Sequence, residues 1–244
     1  MSGNKSFLLS ADTIIFDLDG TLLESMGVWN EIDRILIHKL GGPWEEEMMV
    51  GKRRDALLAE YSGKDNPYGE YCGALGRRYG SSLTKEEILD LRHTIDKDFL
   101  RNQVDYKPGA PELIKKLHSL GKTLVIATTT KRPNILIYRT ENRNIMDKAA
   151  FDDYFTAIYT REDVKAIKPS PEVHERILHD LHKRREDCFI LEDSLSGIRA
   201  ARAAGIPVGV VYDRYSEEDG ETIRKLSDCW YDSLADACRE LEKC

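Results

Sequence analysis

Short apolar runs alternate with helical patterns along most of the chain. Four of these runs consist of large apolar and β-branched residues and predict buried strands: 13–16, 123–127, 188–191 and 208–211. A helix predicted over 112–120 carries leucines on one face and ends at Gly121, and an alanine-rich helix over 196–204 ends before Gly205. This alternation predicts an α/β fold, a Rossmann-like doubly wound parallel sheet with helices on both faces.

The segment from 25 to 106 follows a different pattern. Its apolar residues keep helical spacing, no run in it predicts a strand, and Thr84 with Glu87 has the spacing of a capping box ahead of an apolar stripe. We therefore predict an α-helical cap domain over residues 25–106, inserted into a core domain formed by residues 1–24 and 107–244. Since the chain leaves and re-enters the core at neighbouring points, we expect the insertion to act as a lid on two hinges.

Composition narrows the possible partners. The 244 residues are 41% hydrophobic and carry a net charge of −7, so the chain can bury a large core but lacks the basic surface typical of nucleic-acid binding. No apolar run reaches membrane-spanning length, and residues 1–12 lack the apolar segment of a secretory signal. The cysteines form no CxxC pair: Cys72, Cys188, Cys229, Cys238 and Cys244. We expect a cytoplasmic protein with free thiols and no nucleic-acid or membrane partner, as a monomer or weak homodimer.

The end of the first predicted strand carries the most informative residues. Asp17 and Asp19 follow the run 13–16 directly, and Gly20 allows a tight turn there. Two carboxylates this close repel each other and are costly to bury, unless a cation or a reaction uses them. A polar turn after a strand is the simpler alternative. The pair nevertheless predicts a site of chemistry, because other polar residues follow the neighbouring strands.

Hydroxyl groups follow the second predicted strand. Thr128, Thr129 and Thr130 come directly after the run 123–127, where a side chain can bind an anion near a helix N-terminus. Placement at the strand end favours Thr128, while Thr130 could instead cap the following helix or make a second contact.

A lysine and a second acidic pair complete the set. Lys168 precedes two prolines that stiffen the backbone, which favours it over Lys165 as the functional cation. Glu192 and Asp193 end the third predicted strand, where their charges could also simply favour the N-terminus of the next helix. In a parallel sheet all these residues would meet beyond the carboxyl ends of the strands.

The order of these motifs resembles that of a known family. DxDGT at Asp17, a strand-end threonine, KPxP at Lys168 and EDSxxGIxAAxxAG from Glu192 occur in the order found in haloacid dehalogenase-like phosphotransferases. The helical insertion between the first two motifs resembles the members with an α-helical cap, in particular the β-phosphoglucomutase-like and phosphoglycolate phosphatase-like branch.

The resemblance implies a role for each acidic residue. Asp17 would be the nucleophile that takes the phosphoryl group, and Asp19 would protonate the leaving oxygen and then activate water. Mg²⁺ would be held by the Asp17 carboxylate, the Asp19 backbone carbonyl and Asp193, with Glu192 as a further ligand or as an outer partner. These hard oxygen ligands suit Mg²⁺ better than zinc.

The resemblance also implies the substrate contacts. Thr128 and Lys168 would bind the phosphoryl oxygens, and Lys168 would also restrain the nucleophile. Arg54 best matches the cap arginine of the relatives and would meet a phosphate or sugar oxygen of the substrate. The basic residues from Lys52 to Arg54 could equally form a solvated face.

One departure from the pattern bears on the reaction. Trp29 occupies the position at which β-phosphoglucomutase has a histidine that assists its mutase reaction, which weakens that alternative. We therefore predict a Mg²⁺-dependent phosphatase that acts on a small phosphorylated metabolite, with phosphosugars as the favoured class, through an aspartyl phosphate. A phosphomutase remains an alternative, as does a catalytically silent binding protein of the same fold.

Two further groups of side chains need an assignment. His174, His179 and His182 fall on one predicted helix, and we expect a solvated face there rather than a metal site. We expect Trp29 and Trp44 to lie in the core of the inserted domain or between it and the main domain.

Overall fold

In the computed structural model, which describes residues 6–61 and 63–242, the chain forms two compact units. One unit runs through residue 24 and resumes at 105, and the other spans 25–104. The predicted boundary at 106/107 lies two residues further on. The difference arises from two backbone contacts. The N–H of Glu24 donates to the carbonyl of Asp105 at 2.9 Å, and Leu23 forms a β-bridge with Tyr106. Asp105 and Tyr106 are therefore joined to the first unit.

The core unit is built on six strands. They are β1 (Thr13–Phe16), β2 (Thr123–Ala127), β3 (Ala157–Tyr159), β4 (Cys188–Glu192), β5 (Val208–Val211) and β6 (Cys229–Tyr231). All neighbours pair in parallel in the order β3-β2-β1-β4-β5-β6. Thr13 is in register with Thr123 on one side and Cys188 on the other. This is the strand order of a doubly wound sheet, so the predicted Rossmann-like α/β class is confirmed.

Two strands were not predicted from the sequence. β3 and β6 are three residues long, and only the last residue of each is buried. Both lie at the margins of the sheet, where a strand needs little continuous apolar sequence. The four predicted strands lie inside the sheet and are fully or almost fully buried.

Helices account for most of the remaining chain. They are α1 (Phe7–Ser10), α2 (Met26–Lys39), α3 (Glu47–Glu60), α4 (Pro67–Tyr79), α5 (Lys85–Asn102), α6 (Ala110–Ser119), α7 (Arg132–Thr140), α8 (Arg143–Ala149), α9 (Phe151–Tyr154), α10 (Glu172–Asp180), α11 (Leu195–Ala204), α12 (Gly220–Leu226) and α13 (Leu234–Glu242). None of these helices is both long and apolar enough to cross a lipid bilayer. Cys244 lies outside the described residues, and the other four cysteines are free thiols.

Alternation along the strands divides the core into two layers. Ile15, Val125 and Ile190 point to one face of the sheet, where they pack against α10, α11 and α12. Ile14 and Phe189 point to the opposite face and are also fully buried. Both faces are therefore covered by other parts of the chain, as expected for a parallel sheet.

The second unit contains α2 to α5 and no strand within its described residues. Helix α5 begins with the predicted capping box, in which Thr84 Oγ1 accepts from the Glu87 N–H at 3.2 Å and Glu87 Oε2 accepts from the Thr84 N–H at 2.8 Å. Trp29 packs against the apolar core of this unit. Trp44 does not, since 53% of it is exposed and Arg34 lies over its ring, so its predicted burial was wrong.

The histidines also differ from the prediction. His174 lies in the first turn of α10 and is fully buried, because it shares a helix face with Ile177 and Leu178. His179 is exposed, and His182 lies beyond the end of the helix. The predicted solvated face therefore holds for His179 but was wrong for His174.

Candidate active site

The loop after β1 brings Asp17 to the carboxyl edge of the sheet. The Asp17 N–H still donates to the carbonyl of Leu191 on β4 at 2.9 Å, so the backbone at this residue is fixed by the sheet. Gly20 then turns the chain with φ of +92°. A Cβ atom at Gly20 would lie 2.5 Å from Asp193 Oδ2, so only glycine lets the β1 loop approach the acidic end of β4 this closely.

Lys168 is the cation of this edge. Its Nζ donates to Asp17 Oδ1 at 2.6 Å, to Glu192 Oε1 at 2.6 Å and to the Ala127 carbonyl at 2.9 Å. Burial alone would lower the pKa of Lys168, but the carboxylates of Asp17 and Glu192 outweigh it and hold the pKa above its ordinary value. Lys165, the alternative, is exposed. All three N–H groups of Lys168 are therefore used by the chain, and one of them orients Asp17.

Glu192 is held by the chain on both of its oxygens. Oε1 accepts from Lys168, and Oε2 accepts from the N–H groups of Asp193 at 3.0 Å and Ser194 at 3.1 Å and from the Ser194 hydroxyl at 3.0 Å. The side chain is fully buried against Gly197, where a Cβ would lie 1.7 Å from Oε1. Of the two predicted roles for Glu192, this arrangement favours the outer partner of Lys168 over a metal ligand.

The carboxylates of Asp193 and Asp17 lie close together, and Lys168 does not fully neutralise their charge. Asp193 is 3% exposed, and its Oδ1 accepts from the Thr21 hydroxyl at 2.7 Å. Burial, and then the charges of Glu192 and Asp17, raise the pKa of Asp193 well above its ordinary value. Burial also raises the pKa of Asp17, with Lys168 opposing the shift and Glu192 adding to it. A cation placed between these two carboxylates would relieve their repulsion.

The donor set fits Mg²⁺. One carboxylate oxygen from each of Asp17, Glu192 and Asp193 lies within 4.8 Å of the others. Opposite ligands of an octahedral Mg²⁺ are about 4.2 Å apart, since each bond is about 2.1 Å long. Because the Glu192 oxygens are already used by the chain, the two carboxylates that could hold the ion are those of Asp17 and Asp193. Their hard oxygen atoms suit Mg²⁺ rather than zinc.

The three threonines after β2 have separate positions. Thr128 is 4% exposed, and its hydroxyl accepts from the Thr130 N–H at 3.0 Å, which leaves the hydroxyl proton available to a ligand. Thr130 donates its own hydroxyl proton to Asp19 Oδ2. Thr129 is exposed. Thr130 does not cap the following helix, since the N-cap residue of α7 is Lys131, and its hydroxyl group is bonded to Asp19 instead.

Arg54, the predicted cap residue, belongs to the helical unit. It is 6% exposed, so the alternative of a solvated basic face was wrong for this residue. Its Nη1 donates to Asn30 Oδ1 at 3.0 Å and lies 3.5 Å from Asp33 Oδ2, and its Nε donates to Asp55 Oδ1 at 3.0 Å. Sequence reasoning missed Asn30 and Asp33, although both occupy the apolar stripe of α2 with Ile37.

Most of the chain is similar to known proteins. A family model described as haloacid dehalogenase-like hydrolase matches residues 14–211. CbbY of Rhodobacter capsulatus is 31% identical over 214 residues, which cover 84% of this chain and 87% of that protein. The phosphorylated carbohydrates phosphatase of Thermotoga maritima is 27% identical over 214 residues, with 87% and 89% covered.

A solved structure shows the same fold. The crystal structure of CbbY from Rhodobacter sphaeroides in complex with phosphate has a TM-score of 0.69 at 24% identity and covers 93% of this chain and 96% of that chain. The fold is therefore that of a doubly wound α/β protein. The chain belongs to the haloacid dehalogenase-like hydrolase family, and within that family it is an enzyme of the phosphatase type.

Proposed function

We propose that this chain is a Mg²⁺-dependent phosphatase that hydrolyses a small phosphorylated metabolite, a phosphosugar, through an aspartyl phosphate on Asp17. The observation that carries the proposal is the position of Lys168, whose ammonium lies 2.6 Å from both Asp17 and Glu192. The acidic cluster beside it supports the metal. The name of one relative, a phosphorylated carbohydrates phosphatase, supports the class of substrate.

In the first step Asp17 is the nucleophile. Lys168 holds Oδ1, and Oδ2 carries no hydrogen bond to the described residues, so Oδ2 is the oxygen available to attack phosphorus. The bond from phosphorus to the leaving oxygen breaks, and Asp19 gives that oxygen its proton. Thr128 donates its hydroxyl proton to the phosphoryl group, and the Lys168 charge lowers the energy of the negative oxygens.

In the second step water releases the phosphate. Asp19, now a carboxylate, takes a proton from water while the water oxygen attacks phosphorus. The bond between phosphorus and Asp17 breaks, which restores the carboxylate and frees inorganic phosphate. Mg²⁺, held by the Asp17 carboxylate, the Asp19 backbone carbonyl and Asp193, would neutralise charge on the phosphoryl oxygens. Glu192 would contribute indirectly, by holding the Lys168 side chain in place.

Arg54 has a different proposed role. It lies on the helical unit, and we assign it to the part of the substrate that is not transferred, where a guanidinium group can bind a phosphate or sugar oxygen. This assignment is independent of the two chemical steps. It bears on which substrate is bound and not on how the phosphoryl group moves.

A screen for phosphate release tests the proposal. The purified protein is incubated with phosphosugars, nucleotides and phosphoglycolate, with Mg²⁺, with a chelator, and after Mg²⁺ is added back. We expect release from at least one phosphosugar that stops with the chelator and recovers with Mg²⁺. Full activity in the chelator would contradict the metal assignment.

The same screen separates the alternatives. A phosphomutase would need a bisphosphate activator and would convert one phosphosugar into its isomer with little free phosphate. A silent binding protein would release phosphate from no substrate and would form no phosphoenzyme. The intact set of Asp17, Asp19, Lys168 and Asp193 argues against the silent alternative.

A further inference from the structure

Arg54 is anchored by the protein through only part of its guanidinium group. Its Nε is taken by Asp55, and its Nη1 is taken by Asn30 and Asp33. Its Nη2 makes no hydrogen bond to the described residues, and it is not among the polar atoms that are sealed from solvent without a partner. One side of the guanidinium group is therefore fixed by the protein, and the N–H groups of Nη2 are available to a ligand.

Asp33 is itself fixed from the opposite side. It is fully buried, and its Oδ1 accepts from Arg92 Nε at 2.7 Å. Arg92 is held in turn by Asp96, whose two oxygens both lie 3.2 Å from Nη1, and it lies over the ring of Tyr68. The chain of contacts therefore runs from α5 through α2 to Arg54 on α3.

Asn30 reaches Arg54 because of a glycine. A Cβ at Gly51 would lie 2.6 Å from Asn30 Oδ1, so a larger residue at position 51 would displace this side chain. Gly51 and Arg54 are one helical turn apart on the buried face of α3. The close approach of α2 to α3 at Gly51 places Asn30, which is 2% exposed, next to the guanidinium group.

We propose that Asn30 and Asp33 are positioning residues that hold Arg54 with its Nη2 directed to an acceptor oxygen of the substrate away from the transferred phosphoryl group. The inference rests on the proposed function, in which Arg54 contacts substrate. A free arginine loses rotamer freedom when it binds a ligand, and a guanidinium group that is fixed in advance loses less. Asn30 and Asp33 therefore contribute to substrate affinity without touching the substrate.

The test compares single and double variants. Asn30→Ala and Asp33→Asn are measured alone and combined with Arg54→Gln, using the best substrate of the release screen and p-nitrophenyl phosphate. We expect each single variant to raise KM for the metabolite about threefold to tenfold while kcat changes less than about twofold. For p-nitrophenyl phosphate, which offers little beyond the transferred group, the rise in KM should be smaller.

The double variants give the decisive readout. If Asn30 and Asp33 act through Arg54, adding either substitution to Arg54→Gln should not raise KM further. Independent, multiplying effects on KM would overturn the inference, as would an equal loss of kcat on both substrates. Ile88→Val, in the same apolar core, is the control for a general loss of packing and should leave KM unchanged. Asn30→Ala keeps every ion pair of the cluster, so it stays informative if Asp33→Asn does not fold.

Failure of this inference is distinguishable from failure of the proposed function. If the wild-type protein releases phosphate and Asp17→Asn does not, but Arg54→Gln leaves KM unchanged for every substrate, the positioning role is wrong and the phosphatase stands. If the wild-type protein releases no phosphate from any substrate, the proposed function fails first and this inference fails with it.

Discussion

Each unit of the molecule buries a cluster of charged side chains, but the two clusters balance their charge differently. Among the described residues, the carboxyl edge of the sheet groups three carboxylates with one ammonium: Asp17, Glu192, Asp193 and Lys168. The helical unit has two carboxylates and two guanidinium groups: Asp33, Asp96, Arg54 and Arg92. Burying unpaired charge is costly, so a cluster that keeps an excess is expected to have a use for it. The excess lies at the edge that we propose to bind Mg²⁺, and we expect the balanced cluster to act as a structural framework.

The largest expected effect is on the reaction at the unbalanced edge. Asp17→Asn keeps the size of the side chain and removes the nucleophile, so phosphate release should fall by roughly 10⁴-fold or more. Asp12→Asn is the matched control, since Asp12 precedes the same strand at its other end and is exposed. Phosphate release and circular dichroism are measured for both. Turnover retained in the Asp17 variant would exclude the proposed mechanism.

The next effect tests the balanced cluster. Arg92→Met removes one guanidinium group and leaves Asp33 and Asp96 buried without it, which should lower the free energy of unfolding by about 3–5 kcal/mol. Urea unfolding gives the value. Arg101→Met on the same helix is the control, because Arg101 is exposed and its loss should cost well under about 1 kcal/mol. Equal losses in the two variants would mean that the cluster is not a framework.

A third prediction uses the raised pKa of Asp193. A carboxyl group whose pKa is raised on folding stabilises the fold at low pH, and this contribution is lost as the pH rises from about 4 through the raised pKa. The metal-free protein should therefore lose stability toward neutral pH, and Mg²⁺ should restore it. Asp193→Asn should melt higher than the metal-free wild type at pH 7.5 and should respond little to Mg²⁺. Thermal melting with and without the ion measures both, and an unchanged response to Mg²⁺ would remove Asp193 from the ligand set.

The smallest effect concerns a buried group that belongs to neither cluster. Both ring nitrogens of His174 lack a hydrogen-bond partner among the described residues, and burial, then the charge of Lys168, lowers the pKa of His174 to about 3. In the unfolded chain His174 takes up a proton near pH 6.5, whereas in the folded chain it stays neutral until the pH approaches about 3. Stability should therefore fall from pH 6.5 toward pH 3, by at most about 1.4 kcal/mol per pH unit.

His174→Phe should remove this part of the pH dependence. Denaturant unfolding between pH 7.5 and 5 is compared with that of His179→Phe, the exposed histidine of the same helix. We expect a shallower slope only in the His174 variant. The same slope in the wild type and the His174 variant would show that His174 is protonated without cost in the folded protein.

The sequence predicted the interior of the sheet because local sequence determines it. The runs from Thr13, Thr123, Cys188 and Val208 are continuous and apolar, and strands buried on both faces require this. The positions of Asp17, Thr128 and Glu192-Asp193 were also visible, since each lies at the end of a predicted strand and parallel strands bring their carboxyl ends together. Lys168 was recognised instead by the prolines that follow it. The hydrogen bonds among these residues could not be predicted from the sequence.

Contacts between distant parts of the chain could not be predicted. Arg92 and Asp33 are 59 residues apart, and no local spacing pairs them. Nothing in the sequence alone shows that the oxygens of Glu192 are fully used by Lys168 and the start of α11. The burial of His174, in contrast, could have been predicted, because Ile177 and Leu178 follow it at helical spacing and place it on the same apolar face.

The two ends of the inserted unit meet at one point of the core unit. The chain leaves the core unit at Glu24 and returns at Asp105, and the two residues are joined by a backbone hydrogen bond of 2.9 Å. A short turn could close this gap, and the core would then be a continuous chain without the insertion. Loop-closure entropy grows slowly with length, so inserts of very different size can occupy the same junction at similar cost to the core. Under the proposed function, substrate preference could then change with the insertion while the chemistry at Asp17 is left in place.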